Sequence, residues 1–234
     1  MKYRIDKAVF DILPTVCVGT ICVRGVDNCR EYPEISELLA RSIASCEDAY
    51  ENIKVKEDPE IVCYREAFRA LGINPNKYMC SIEALISRIA KKKGMPSINP
   101  LVDLNNAISI KYSLPMGTHD LDTLKGDLLV RFSQADDTFI PFGETESEKP
   151  DENEIVYVSG NEVRTRRWTW RQSEIGKITE ETSAVFFPID GFTDINKDRV
   201  IRARDELAEL IEKIFGVVPV TGYTDKDNPE TELC

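Results

Sequence analysis

An unusual density of arginine and tryptophan marks residues 164–173, RTRRWTWRQS, which hold four arginines and both tryptophans of the chain. Guanidinium groups bind phosphates through paired hydrogen bonds, and indole rings stack on bases or on amino-acid rings. In an extended segment, Trp168 and Trp170 would face one side of the strand. The opposite side would carry Arg167, Thr169 and Arg171. The segment indicates a binding site for a phosphate and a ring, but tryptophans in the core and arginines paired with acidic residues explain it equally well.

Two other groups of polar residues could do chemistry. The only histidine, His119, lies in the sequence LPMGTHDLD, residues 114–122, two positions after a glycine that allows close backbone approach. Histidine serves as a general base near neutral pH, although a loop histidine is more often a hydrogen-bonded bystander. The adjacent amides of Asn105 and Asn106 line a polar pocket or, the better interpretation, hold a helix cap or turn.

Several catalytic and metal-binding patterns are missing from the sequence. The seven cysteines form no CxxC pair, and a single histidine cannot complete a cluster of zinc ligands. Neither a GxSxG nucleophile elbow nor a GxxxxGK[ST] phosphate loop occurs. We therefore predict no metal ion and no cofactor.

The charge and hydropathy of the chain limit its partners. A net charge of −11 and a pI near 4.8 argue against a general polyanion binder, so we expect no DNA partner and require a local basic patch for RNA. No apolar run approaches the roughly 20 residues of a membrane helix, and the charged N-terminus is unlike a signal peptide. Because most cysteines lie among apolar residues, we expect reduced thiols in a cytoplasmic protein.

The periodicity of apolar residues predicts the elements that position these groups. Residues 3–26 are expected to form two strands interrupted at Pro14, and the polar tail from 224 to be frayed. Helices are expected over 33–52, 59–71, 77–93, 101–113 and 197–215. Further strands are expected over 126–132, 155–160, 162–170 and 183–191. No repeat or break in composition divides the chain, so we expect one domain over residues 1–234.

Six segments, taken in order, resemble the B3/B4 domain of the phenylalanyl-tRNA synthetase beta subunit, above all the free-standing proteins built from that domain. They are YREAFRALGINPNKYMCSIEALISRI, PSINPLVDLNNAIS, LPMGTHDLD, GDLLVRF, RRWTWRQS and ITEETSAVFFPIDG, within about residues 58–192. The resemblance implies a three-layer α+β fold with a central β-sandwich and flanking helices. It also implies a pocket that, in the synthetase, hydrolyses tyrosine mischarged on tRNA(Phe).

The synthetase's editing residues match this sequence only in part. Its pocket histidine aligns with Gly117, and His119 falls where that family has an aromatic residue. Its pocket glutamate aligns with Pro188, whereas its motif asparagine matches Asn106. The preceding threonine is replaced by Asn105, and the glycine-rich loop by residues 168–173. The resemblance thus implies the place of a pocket but not its chemical groups.

The resemblance leads to a first hypothesis, a deacylase acting in trans on mischarged aminoacyl-tRNA. An aminoacyl ester is activated by the neighbouring ribose hydroxyl, so a positioned water and donors to the oxyanion suffice to hydrolyse it. Arg171 and Gln172 are the expected donors, Asn106 would fix the water or the carbonyl, and His119 would assist as a base. The expected substrate-binding residues are Arg166, Arg167, Trp168, Trp170, Gly117 and Thr179.

Two other hypotheses remain open. The loss of the synthetase's histidine and glutamate favours a non-catalytic module that binds tRNA or an amino-acid-like ligand. A structural adaptor with both tryptophans in its core is the third. For each we expect a monomer or a weak homo-oligomer.

Overall fold

Two β-sheets packed face to face form the centre of the computed structural model, which describes residues 1–234. The ten strands are β1 (Lys2–Ile5), β2 (Val16–Arg24), β3 (His119–Asp120), β4 (Leu128–Phe132), β5 (Ile155–Ser159), β6 (Glu162–Arg166), β7 (Arg171–Gln172), β8 (Ala184–Phe192), β9 (Val220–Thr224) and β10 (Glu230–Glu232). The larger sheet has the order β10-β1-β4-β5-β6-β7, and the smaller has the order β3-β8-β2-β9. Only β1 and β4 pair in parallel.

Aromatic side chains hold the two sheets together. The ring of Tyr3 on β1 lies 5.0 Å from that of Phe186 on β8, and the His119 ring stacks 5.5 Å from that of Tyr157 on β5. These residues belong to a core of 50 buried side chains that draws on both ends of the chain. The space between the sheets is therefore the natural place for a buried site.

Helices cover the smaller sheet and the ends of the sandwich. They are α1 (Lys7–Ile12), α2 (Pro33–Ala49), α3 (Pro59–Ala70), α4 (Ser81–Ala90), α5 (Pro100–Tyr112) and α6 (Lys197–Phe215), with short 3-10 turns at 55–57 and 121–123. Helix α6 packs on β2 and β8, where Gly19 and Gly191 leave room for Val200, and α2 and α5 pack beside it. The predicted α+β fold with a central sandwich and flanking helices is confirmed. None of the helices combines the length and apolarity needed to cross a membrane.

The first of the two strands predicted over residues 3–26, KAVFDIL, is wrong. Residues 2–5 form β1, but the apolar sequence KAVFDI that follows is helix α1. The side chain of Asp6 caps this helix by accepting a hydrogen bond from the Ala8 backbone N–H. Only Val9 and Phe10 of α1 are buried. A short helix can bury two such residues as readily as a strand can, so the apolar residues alone do not distinguish the two.

The C-terminal tail, expected to be frayed, is tied into both sheets. Strand β9 pairs with β2 and β10 pairs with β1. A disulfide bond joins Cys22 on β2 to Cys234, so the expectation of only reduced thiols is also wrong. Because disulfides are rare in the reducing cytosol, this bond removes one argument for the predicted cytoplasmic location.

Candidate functional site

The arginine- and tryptophan-rich segment turns back on itself instead of extending as one strand. Strand β6 ends at Arg166 and β7 begins at Arg171, so residues 167–170 form a turn. Arg167 and Trp168 occupy the left-handed region, with φ of 47° and 60°. The expected alternation of arginines and tryptophans across a strand is therefore replaced by a turn that holds Trp168 inward.

This turn closes one side of a cavity of about 80 Å³ between the sheets. The backbone N–H of Ser81, the first residue of α4, donates to the Thr169 carbonyl over 2.7 Å and so fixes the turn to that helix. The residues that line this cavity include Met116, Gly117, His119, Tyr157, Trp168, Trp170, Gln172, Pro188 and Asp190. Of the predicted site residues, the structure brings together Gly117, His119, Trp168, Trp170 and Gln172.

Asp190 is the only carboxylate that lines the cavity, and no cation pairs with it. Its Oδ1 accepts hydrogen bonds of 2.7 Å from the Tyr157 hydroxyl and from the Trp168 indole N–H. No protein group donates to its other oxygen, Oδ2. Burial raises the pKa of the Asp190 carboxyl to about 7, although the two hydrogen bonds favour its charged form. The cavity thus contains a carboxyl group that titrates near neutrality.

His119 forms the opposite polar wall and is also buried. Its ring stacks on Tyr157, and its Nδ1 has no hydrogen-bond partner. Burial lowers the pKa of His119 to about 3, and the nearby positive charge of Arg164 adds to the effect. The ring is therefore neutral over the physiological range, which makes it a weak general base but a competent hydrogen-bonding group.

Gly117 and Pro188 are neighbours in the wall of the cavity. The Gly117 N–H donates to the Pro188 carbonyl over 3.0 Å, and a Cβ at Gly117 would lie 3.2 Å from Pro188 Cγ and 3.6 Å from His119 Nε2. The two positions that the sequence resemblance matched to the synthetase's histidine and glutamate are thus neighbours in space. Any larger residue at 117 would press against the proline and the imidazole.

Gln172 supplies an amide at the same wall. Its Nε2 donates to the Thr118 carbonyl over 2.6 Å, which uses one of the two N–H groups of the amide nitrogen. Because Gln172 lines the cavity, the amide retains hydrogen-bonding capacity for a ligand. Its role as a donor to a substrate stays a prediction.

The four arginines of the segment differ from the expectation that they contact phosphates. Arg166 is buried and bonds to Glu154 and Glu148, and Arg167 is buried and bonds to Asp151 over 2.6 Å. Two ion pairs involve the remaining arginines: Arg164 with Glu162 and Arg171 with Glu144. The acidic side chains thus neutralise Arg166 and Arg167, which leaves neither of them free for a phosphate. Arg171 is about 40% exposed and does not line the cavity.

Two other predicted residues lie outside the cavity. Asn106 is half-buried on α5, and no residue of that helix lines the cavity because α5 packs against α2 and α6. Thr179 lies in the loop before β8, where its carbonyl accepts a hydrogen bond from the Asn28 side chain. Neither residue lines the cavity.

Asp190 was not among the site residues predicted from the sequence, although one feature of the sequence could have indicated it. Strand β8, AVFFPIDGF, is buried at all nine positions, and Asp190 is its only charged residue. A carboxylate in such a strand must be paired, neutral or functional. Tyr157 was missed for a different reason, since a tyrosine in a core strand carries no distinctive pattern.

A separate basic cluster lies at the far end of α4. Arg88, Lys91, Lys92 and Lys93 are exposed and take part in none of the ion pairs of the structure. The ten residues of α4 span about 15 Å between Ser81 at the cavity and this cluster. We call these four residues the α4 basic cluster. No group of three or more metal-binding side chains lies together anywhere in the chain.

Two comparisons relate this chain to known proteins. A B3/4 domain family model matches residues 63–216, about two thirds of the chain. Among solved structures, the chain is similar to an N-terminal fragment of the phenylalanyl-tRNA synthetase beta subunit from Pyrococcus horikoshii, with 11% identity and a TM-score of 0.47. That similarity covers 95% of this chain and 53% of the fragment, so this chain spans about half the fragment's length. No curated protein matches the chain.

Proposed function

Since this chain belongs to the B3/4 domain family, we propose that it hydrolyses the ester bond of mischarged aminoacyl-tRNA in trans. The proposal rests on one observation above all: the cavity between the sheets contains a buried carboxyl, Asp190, with no cationic partner and one free oxygen. Buried titratable groups of this kind concentrate at functional sites. The aminoacyl group would enter the cavity beside Trp170.

The chemistry asked of the cavity is the attack of one water on an ester carbonyl. Asp190 Oδ2 accepts a proton from the water as its oxygen bonds to the carbonyl carbon. The ribose oxygen then leaves and takes up that proton, which yields a free amino acid and a tRNA with a free terminal hydroxyl. A pKa near 7 suits a general base at neutral pH.

Gln172 and His119 assist this reaction in the proposal. The unused N–H of the Gln172 amide donates to the carbonyl oxygen as negative charge develops there. The neutral imidazole of His119 holds the water by a hydrogen bond instead of taking its proton, because burial keeps the pKa of His119 far below neutrality. Neither role requires Arg171 or Asn106.

The α4 basic cluster provides the RNA contact that an acidic chain requires. Its charges have no acidic partners, unlike those of Arg166 and Arg167, and α4 connects the cluster directly to the cavity. The logarithm of binding affinity falls linearly with the logarithm of salt concentration, and each lysine that neutralises a phosphate steepens this slope by about 0.9. We expect the triple variant Lys91→Ala, Lys92→Ala, Lys93→Ala to bind tRNA more weakly and to lose about 3 from that slope.

The direct test follows the loss of amino acid from mischarged tRNAs, with tyrosyl-tRNA(Phe) as the first of a panel. We expect enzyme-dependent hydrolysis of at least one ester, and a loss of about 100-fold or more in Asp190→Asn. The asparagine keeps an acceptor for Tyr157 and Trp168, so folding should persist. The control is Asp194→Asn, which alters an exposed carboxylate four residues away and should leave the rate unchanged. Full activity of Asp190→Asn would refute the assigned role.

A second function is favoured by Gly117 and Pro188, which stand where the resemblance places the synthetase's histidine and glutamate. In that case the cavity binds tRNA or an amino-acid-like ligand without hydrolysing it. The panel of esters would then give no turnover. Binding of tRNA would weaken steeply with added salt, whereas binding of a small ligand would barely respond.

A further inference from the structure

The volume of the cavity limits what it can accept. At about 80 Å³ it is roughly half the size of an engineered protein cavity of about 150 Å³ that takes up a single benzene ring. A phenyl or phenol side chain therefore does not fit beside the water and the ester. A methyl or hydroxymethyl side chain needs far less space.

Two inner walls of the cavity, formed by Trp168 and Pro188, are held too firmly to move for a larger group. Trp168 is 2% exposed, is tied to Asp190 by its indole N–H, and packs against Tyr64, Phe68 and Phe192. Pro188 lies within β8, a strand paired on both sides. Close packing of this kind resists the rearrangement that extra volume would require.

The mouth of the cavity is fixed as well. Trp170 meets Tyr78 edge to face, with ring centroids 4.8 Å apart, and the Arg167 guanidinium lies over both rings. Asp151 in turn holds that guanidinium. Turning Trp170 outward to admit a ring would break this stack and the cation–π contact of Arg167 with the Trp170 ring.

We propose that the site accepts aminoacyl groups with small side chains, such as glycine, alanine or serine, and excludes aromatic ones. This proposal rests on the proposed deacylase function. It reverses the size preference implied by the resemblance, since the synthetase's pocket removes tyrosine. Met116 is the lining residue whose substitution is most easily accommodated, because its flexible side chain lines the cavity without a polar contact.

The test uses a single tRNA acylated chemically with glycine, alanine, serine, phenylalanine or tyrosine, so that only the side chain varies. We expect the three small esters to be hydrolysed at least 100-fold faster than the two aromatic esters. Hydrolysis of the tyrosyl ester as fast as the alanyl ester would overturn the size proposal and leave the deacylase function standing. Failure of every ester would overturn the deacylase function, and the size proposal with it.

A gain-of-function variant tests the same idea from the opposite side. Met116→Ala enlarges the cavity and should raise the rate of phenylalanyl-ester hydrolysis relative to alanyl-ester hydrolysis at least 10-fold. Met79→Ala is the matched control because Met79 is exposed and does not line the cavity. An equal ratio of the two rates in wild type and Met116→Ala would contradict a volume limit.

Discussion

Two groups of buried polar side chains lie on either side of the same turn, and only one of them is internally satisfied. On the outer side, Arg166 and Arg167 meet Glu154 and Asp151, and each buried charge has an opposite charge within hydrogen-bonding distance. We call this group the acid–arginine cluster. On the inner side, Asp190 faces the cavity with no cation.

The two groups differ in whether their buried charges are paired, and this difference distinguishes a structural role from a functional one. A buried ion pair that is complete holds the fold together but offers nothing to a ligand. A buried carboxyl without a cation destabilises the folded protein and persists where a function requires it. The arginines that stand out in the sequence form complete ion pairs. Asp190, which does not stand out there, is buried without a cation, as expected of a functional group.

The largest effect should follow from breaking the acid–arginine cluster. Glu154 is 3% exposed and accepts hydrogen bonds from the guanidinium of Arg166 and from the backbone N–H of Arg167. Glu154→Ala leaves buried Arg166 with only the more exposed carboxylates of Glu148 and Asp151, and we expect the free energy of unfolding to fall by about 3–5 kcal/mol. Denaturant unfolding measures this. Glu144→Ala, which removes an exposed partner, should change it by less than about 1 kcal/mol.

The next effect concerns pH, where Asp190 and His119 act in opposite directions. The pKa of Asp190 rises from 3.8 to about 7 on folding, so the folded state binds the extra proton between those values and Asp190 makes stability fall as pH rises. The pKa of His119 falls from 6.5 to about 3, so the unfolded state binds the extra proton and His119 makes stability increase with pH. The two contributions nearly cancel between pH 4 and 6.5.

Single variants should uncover each contribution. Asp190→Asn should make stability increase from pH 4 to 6.5, and His119→Gln should make it decrease, by about 3 kcal/mol each at 1.36 kcal/mol per pH unit. Urea unfolding at a series of pH values gives both slopes relative to wild type. Parallel profiles for the three proteins would show that neither group is held in its neutral form.

The elements with a strong pattern were predictable, and so was the family. Helix α6 has the predicted bounds because its apolar stripe is long and ends at Gly216, which adopts a left-handed conformation. Helix α1 was not predictable, since six residues contain too little periodicity to distinguish a helix from a strand. The resemblance to the B3/B4 domain rested on several motifs in order, and it is confirmed.

The site was predictable only where local sequence decides the geometry. Nothing in RTRRWTWRQS indicates that Arg167 and Trp168 turn left-handed, because the turn is stabilised by partners far away in the sequence, Ile155 and Ser81. The neutralisation of Arg166 likewise depends on Glu154, which lies immediately before β5. Long-range pairing of this kind decides which charges remain available, and a local motif cannot reveal it.

A smaller effect is expected from Trp168→Phe, which tests the link between the turn and the cavity. Phenylalanine keeps most of the buried apolar contact but removes the indole N–H that bonds to Asp190. We expect a loss of about 1–3 kcal/mol in the free energy of unfolding and a further rise in the pKa of Asp190, because a hydrogen bond that favours its charged form is gone. Unchanged pH dependence of stability would show that this bond does not influence the carboxyl.

The smallest effect should come from Arg171→Ala, which marks the boundary between the two groups. Arg171 is about 40% exposed, and its contact with Glu144 is a surface ion pair, so its removal should change the free energy of unfolding by less than about 1 kcal/mol. Because Arg171 does not line the cavity, we also expect ester hydrolysis to stay within twofold of wild type. Arg171→Lys serves as the control that keeps the charge. If Arg171→Ala instead slowed hydrolysis more than 10-fold while Arg171→Lys and the unfolding curve did not change, the positive charge would act on the substrate. The site would then extend beyond the cavity to the one arginine of the segment that the acidic side chains leave partly exposed.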